Sequence, residues 1–380
     1  MSLAVQQDLP LKPYTSFKIG GPARYFCTVT APDQLREAVA LTRSQALPMF
    51  VLGGGSNILV SDAGFRGVVI HPAHAGMERV EEAASQPGRR GVRLRISAGE
   101  PWDRLVGYTV DHGWWGIENL SHIPGQSGAA LVQNIGAYGQ QLSDVFEEAE
   151  VLRLAHCELY TLAAAECGLA YRRSIFNSTR RGEFLIWSIT LGLSCNPQPQ
   201  IGYRDLQAYF ADRGNQQLTQ HEIRKVITQI RDHKFPYPRE ERGGNAGSFF
   251  KNPTLNAGEW MSLEARVRAR FGDAARGRLL ASTSRTRPGA GGTNGSDPVK
   301  IPAALLIDLC GLKGFEAGRA QVNPSQPLVI LNQGGATAGD VLRVAGHVRR
   351  TVHRETGVVL ELEPELVGFS PREVDLHLGL

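Results

Sequence analysis

The chain has no run of about eighteen consecutive apolar residues, the length a helix needs to cross a bilayer, so no transmembrane segment is read from it. Residues 1–10 contain Gln and Asp and no apolar stretch, and a cytoplasmic location is expected. Cysteine is sparse: Cys27, Cys157, Cys167, Cys195 and Cys310 form an odd set without Cys-x-x-Cys spacing. That argues against a disulfide framework or a zinc site and predicts reduced, mostly buried thiols. Histidine offers one close pair, His71-x-x-His74, and no His-Glu-x-x-His, so no metal set is completed. Basic residues are not gathered into blocks and the net charge is +4, which points away from a nucleic-acid partner.

What is present is a soluble globular composition. With 42% hydrophobic and 21% charged residues over 380 positions, the chain can bury a sizeable core, and its length suggests two or three domains. Strands are expected at 24–29, 48–52, 68–70 and 92–96, with helices opening at Pro32 and spanning 101–111. Further strands at 147–154, 158–162 and 184–193 make the middle β-rich. Thr219-x-x-Glu222 is a capping box before Ile223, Val226, Ile227 and Ile230, predicting an amphipathic helix that delivers Lys234 near its end. A helix over 302–310, a strand at 328–332 and a helix over 340–355 follow. Residues 272–298, rich in Gly, Arg, Ser and Thr, lack an apolar pattern and read as a flexible surface insertion. The stretch 358–368 alternates like one strand, with Glu361, Glu363 and Glu365 on one face and Pro364 suiting an edge.

Glycine marks the candidate sites. Gly53, Gly54, Gly55, Ser56 and Asn57 follow a strand and offer bare backbone N–H groups and a hydroxyl, which suits a diphosphate. The run matches neither the dinucleotide fingerprint nor the P-loop, so a plain turn and a phosphate cradle both stand. A second block between Gly116 and Gly139 makes another such loop path, and two cradles fit a dinucleotide better than one. Gly125-Gln-Ser-Gly128 is followed by Ala129 and so fails the nucleophile elbow of serine hydrolases. Gly243, Gly244 and Gly247 surround Ser248, Lys251 and Asn252, and Pro253 ends that segment. It reads either as a surface turn or as a loop built to present a hydroxyl and an ammonium.

Six motifs in order resemble the bacterial UDP-N-acetylenolpyruvoylglucosamine reductase family, the MurB flavoenzymes of peptidoglycan precursor synthesis. They are Phe-Lys-Ile-Gly-Gly-Pro-Ala from Phe17, Gly-Gly-Gly-Ser-Asn from Gly53, Ile-Pro-Gly and Gln-Asn-Ile-Gly-Ala-Tyr-Gly between Ile123 and Gly139, Tyr-Arg-x-Ser-x-Phe from Tyr171, Gly-Asn-Ala-Gly-Ser-Phe-Phe-Lys-Asn-Pro from Gly244, and Leu-Glu-Pro-Glu from Leu362. The resemblance implies an α+β fold: a two-part FAD-binding unit of the vanillyl-alcohol-oxidase type, residues 1–73 completed by 359–380 and then 74–235, plus an α/β substrate-binding domain over 236–358. It implies non-covalent FAD held by Gly53, Gly54, Gly55, Ser56, Asn57, Gly125, Gly128, Asn134, Ile135 and Gly136.

The implied reaction is NADPH-dependent reduction of UDP-N-acetylglucosamine enolpyruvate to UDP-N-acetylmuramate, with hydride from flavin N5 and turnover in two half-reactions. Arg172 matches the arginine that holds the substrate carboxylate, Ser248 the proton donor, and Glu365 the catalytic glutamate, protonated or hydrogen-bonded as it stabilises the intermediate. Tyr203 and Lys234 match the residues that close over the diphosphate; Lys251 and Asn252 stand beside Ser248, and Asn252 and Gln326 match further substrate contacts. Gly202-Tyr-Arg-Asp-Leu suggests the subclass with a mobile tyrosine loop. Thr15-Ser16 replaces the usual Asn-Thr and Leu131 stands where Pro is common, both bearing on FAD contacts. A monomer without nucleic-acid or membrane partners is expected. The alternatives are another FAD-dependent oxidase or dehydrogenase of the same fold, or an inactive flavin- or nucleotide-sugar-binding protein.

Overall fold

The structure is a computed structural model that describes residues 2–80, 91–211, 218–235, 243–285 and 298–380. The chain forms two compact units, each assembled from separated stretches: 1–9, 23–55 and 66–233 in one, 10–22, 56–65 and 234–380 in the other.

The first unit contains two sheets. A four-stranded sheet has the order Ala4–Pro10, Pro22–Val29, Phe65–Pro72, Met49–Val51, with the last two parallel and Phe50 opposite Val69. Helix Pro32–Ser44 buries Leu35, Ala38 and Val39 in one cluster with Cys27, Val29, Val68 and Ile70 of that sheet. The strand Ala4–Pro10 was not expected from the sequence, because only Leu9 along it escapes full exposure and no apolar alternation marks it.

The second sheet is antiparallel and five-stranded: Glu158–Ala163, Phe146–Arg153, Phe184–Ser194, Gly91–Ser97, Met77–Val80. Within Gly91–Ser97 the buried Val92, Leu94 and Ile96 alternate with half-exposed neighbours. Helix Trp102–Asp111 adds Leu105, Val106 and Val110 to the same core, each side chain contributing about 1.5–3 kcal/mol by burial. Trp102 also pins the glycine block: its Nε1 donates to Leu120 O at 3.0 Å and its backbone N to Gly125 O at 3.0 Å.

The second unit is built around helix Ala338–Thr356, which buries Val341, Val344, Ala345, Val348 and Val352. Thr337 caps it by accepting from Asp340 N at 3.0 Å, and Gly357 at φ 78 closes it. Helix Pro371–Leu378 follows and docks over Gly346, where a Cβ would lie 1.8 Å from His377 O.

Two sequence expectations need correction here. Residues 272–282 are not loop: helix Ala257–Ser282 runs through them, kinked at Gly272 (φ 85, ψ 178), and buries Ala275 and Leu279. The stretch looked solvated because of its arginines, yet Arg276 and Arg278 pair with Glu264 and Asp308. Residues 286–297 of the expected insertion lie outside the described residues. The single strand expected over 358–368 is also shorter. The strand pairing parallel to Ile58–Val60 covers Glu365–Val367, while ahead of the buried Pro364, which has no N–H to donate, Leu362 bridges Phe250 instead.

The thiols behave as expected apart from Cys195, which is exposed. Burial pushes Cys27, Cys167 and Cys310 up to about 11, so they stay protonated at neutral pH. Among the described residues no helix is long and apolar enough to cross a membrane, and no group of acidic, His and Cys side chains is placed to hold a metal.

Candidate active site

In the first unit the two glycine-rich stretches meet backbone to backbone. A Cβ on Gly54 would lie 2.5 Å from Gly125 Cα, and one on Gly53 would lie 2.9 Å from Ala129 Cβ. Both glycines are therefore fixed by close approach. Among the described residues, no hydrogen bond uses the backbone N–H of Gly53, Gly54, Gly125 or Gln126. Backbone amides left unspent beside such a close approach are groups an anion can use.

Other members of the predicted set have internal duties. Gly128 spends its N–H on Ala98 O at 2.9 Å, and a Cβ there would strike Ala98 Cβ at 2.6 Å. Ile135 is buried in the core with Leu131. Gly136 sits in a short hairpin opposite Gln141. Asn134, at φ 45, accepts from Ser143 N at 2.9 Å and donates through Nδ2 to Ala170 O at 3.1 Å.

That last bond ties the glycine block to Arg172. Tyr171 and Arg172 are the central residues of a turn closed by Arg173 N to Ala170 O at 3.1 Å and Ala170 N to Arg173 O at 3.0 Å. Arg172 has φ 53, the left-handed region that glycine prefers, at a cost of about 1–2 kcal/mol. Its guanidinium lies 5.5 Å from the Tyr171 ring centroid, and Asn177 Nδ2 donates to its carbonyl at 3.1 Å. Tyr203 caps helix Arg204–Phe210 and is half exposed, its ring edge-on to Tyr138 at 5.3 Å. Burial pushes the Tyr138 hydroxyl up to about 12 and, with Asp205 assisting, raises that of Tyr203, so both remain neutral hydrogen-bond donors.

The second unit holds Ser248. The approach to it is tight: a Cβ on Gly244 would lie 1.8 Å from Ser16 O, and one on Gly243 2.0 Å from Asn332 O. Ser16 Oγ donates to Asn245 O at 2.7 Å, and Asn332 N donates to Gly244 O at 2.8 Å. Ser16, a departure from the family pattern expected to bear on FAD, thus braces the serine segment. Gly247, at φ 71, accepts the turn and donates to Asn245 Oδ1 at 2.9 Å.

Beyond the turn, the segment is laced between two neighbours. Ser248 bridges Val329, and Phe249 N donates to Leu328 O at 2.7 Å. On the other side Glu363 N donates to Phe249 O at 3.0 Å and Lys251 N to Glu361 O at 2.9 Å. Phe249 and Phe250 are buried and anchor the run. The Ser248 hydroxyl makes no hydrogen bond among the described residues.

Glu365 lies two residues past this lacing, its N donating to Asn57 O at 3.0 Å, while Asn57 Nδ2 donates to Glu363 O at 3.2 Å. Gln326 O accepts from Val329 N at 3.0 Å, so its turn leads directly into the partner of Ser248. Lys251 Nζ is 3.3 Å from Glu361, an exposed pair of small energetic weight. Asn252 Oδ1 accepts from Ala303 N at 2.9 Å and so caps helix Ala303–Leu309. Lys234 O accepts from Asn323 Nδ2 at 3.1 Å.

One unit therefore brings together Ser56, Asn57, Lys234, Ser248, Lys251, Asn252, Gln326 and Glu365; the other holds Gly53, Gly54, Gly55, the glycine block, Arg172 and Tyr203. The sequence did not single out Asn323 or the bracing role of Asn332. Asn323 is buried and shapes the Gln326 turn through Ser325 N and Gln326 N, at 2.8 and 3.3 Å. Its one sequence signal is the Asn-Pro-Ser turn composition.

A family model for the C-terminal domain of UDP-N-acetylenolpyruvoylglucosamine reductase matches residues 237–367, and one for an FAD binding domain matches residues 23–162. The chain is 36% identical to the UDP-N-acetylenolpyruvoylglucosamine reductase of Shewanella baltica, over 97% of this chain and 98% of that protein. It is 37% identical to that of Burkholderia multivorans, over 96% and 97%. The crystal structure of the MurB reductase from Thermus caldophilus aligns with a TM-score of 0.60 at 24% identity, covering 96% of this chain and 98% of that one, and so shares the fold. The expected architecture, an FAD-binding unit followed by an α/β substrate domain, is borne out. This chain belongs to the UDP-N-acetylenolpyruvoylglucosamine reductase family, the MurB flavoenzymes of peptidoglycan precursor synthesis.

Proposed function

We propose that the chain reduces UDP-N-acetylglucosamine enolpyruvate to UDP-N-acetylmuramate at the expense of NADPH. Residues 53–57, Gly125, Gly128, Asn134, Ile135 and Gly136 would hold FAD, which would supply the hydride for the terminal carbon of the enolpyruvyl ether. Negative charge then develops at the carbon bearing the ether oxygen and the carboxylate. Arg172 holds that carboxylate with its donor fork. Glu365 stabilises the same intermediate. Ser248 delivers the proton to carbon and is replenished from solvent.

A serine hydroxyl is a weak acid, so this role needs a cation nearby and a dry setting. Lys251 or Arg172 would supply that charge. Tyr203 and Lys234 cover and neutralise the diphosphate, and Gln326 adds a substrate contact. Asn252 contributes through Nδ2, since its Oδ1 is engaged by Ala303.

The observation that carries this reading is the Ser248 hydroxyl, unspent among the described residues and presented by backbone laced on both sides. NADPH oxidation by FAD-loaded protein tests it. Turnover is expected to require UDP-N-acetylglucosamine enolpyruvate and to yield UDP-N-acetylmuramate. NADPH oxidation at the same rate without that compound would favour a general flavin oxidase and reject the assignment.

A further inference from the structure

We propose that Asn119 is a positioning residue for Tyr203, an inference that rests on the reading of Tyr203 as a substrate-covering residue. Asn119 is fully buried, and its Nδ2 donates to two backbone carbonyls, Tyr138 O at 2.8 Å and Gln200 O at 2.7 Å. Two carbonyl oxygens can be satisfied only by the NH2 end of the carboxamide, so its orientation is fixed.

The residue cannot shift to follow either partner. Its own N donates to Gln140 Oε1 at 2.8 Å, Gln140 Nε2 donates to Glu118 Oε1 at 2.7 Å, and Glu118 Oε2 accepts from Gly116 N at 2.8 Å. Glu118 is also fully buried, so this is a polar network closed off from water.

Both partners lead to the same pair of rings. Tyr138, at φ 49, meets the Tyr203 ring edge-on, and Gln200 lies three residues ahead of Tyr203. Among the described residues, the Asn119 bond is the one hydrogen bond tying residues 197–202 to the rest of the unit, with Ile201 adding apolar contact. One carboxamide therefore joins the backbone of Tyr138 to the approach of Tyr203. Asn119 thereby sets where the backbone leading into Tyr203 stands.

The test compares Asn119→Ala with the parent for three readouts: KM for the enolpyruvyl compound, the rate of flavin reduction by NADPH, and amide exchange in ligand-free protein. Leu206 N and Gln207 N donate to Tyr203 O at 2.9 Å and report the order of that segment. The expected result is a KM raised about tenfold or more, flavin reduction unchanged, and faster exchange at Leu206 and Gln207. Asn119→Ser, which keeps one donor, is expected to show a smaller rise in KM and serves if the alanine variant does not fold. Tyr138→Leu, which keeps the carbonyl and removes the ring, should raise KM as well, and the double variant should be no worse than the larger single effect. Unchanged KM and exchange in both Asn119 variants, or effects that add in the double variant, would overturn the proposal. A parent protein that leaves the enolpyruvyl compound untouched would instead contradict the proposed function, with the exchange readout still deciding on Asn119.

Discussion

Arg172 occupies a backbone conformation in which glycine would be at ease, and its guanidinium lies over the Tyr171 ring. Strain of this kind persists when a side chain is needed at that spot. Arg172→Gly is accordingly expected to keep its stability or gain up to about 1 kcal/mol, measured by thermal melting, while product formation is lost. A clear drop in melting temperature would assign Arg172 to the fold instead. The motif Tyr-Arg-x-Ser-x-Phe could be read from the sequence, but the turn that strains its arginine could not. Ala170 and Arg173, whose backbone bonds close the turn, carry no turn signature, and the tie from Asn134 that holds it comes from a residue distant in sequence.

Among the elements, the glycine loops carry the cofactor argument because their fit depends on missing side chains. Gly54→Ala would push a methyl against Gly125 Cα at 2.5 Å, contact with backbone that has no flexible end to yield. The variant is expected to lose about 1–3 kcal/mol of stability and to be recovered with markedly less FAD, read from the ratio of flavin to protein absorbance. Full flavin content would show that the contact is not needed for the cradle. Sequence patterning found most elements within a few residues, including Trp102–Asp111 and Gln220–Lys234, because their apolar periodicity is strong. It missed Ala257–Ser282, where a kink at Gly272 interrupts the stripe and paired arginines mimic a solvated loop. It overran the last strand because Pro364 and tertiary lacing, not alternation, decide where pairing begins.

At the scale of the whole chain, both units are interleaved in sequence, so neither could be delimited by composition alone. Residues 10–22 and 56–65 belong with 234–380. Pattern reasoning sees contiguous stretches, whereas Ser16, Asn57 and Asn332 act on backbone tens to hundreds of residues away. The motif order was legible; the bracing that holds Ser248 was not. In the proposed reaction this braced hydroxyl protonates carbon after hydride delivery. This step is tested most directly by reducing FAD-loaded Ser248→Ala with NADPH under anaerobic conditions and then mixing it with UDP-N-acetylglucosamine enolpyruvate while flavin absorbance and product are followed. Reduction is expected at the parent rate, with formation of UDP-N-acetylmuramate slowed by at least about a hundredfold. Product formed at the parent rate by Ser248→Ala would contradict that step.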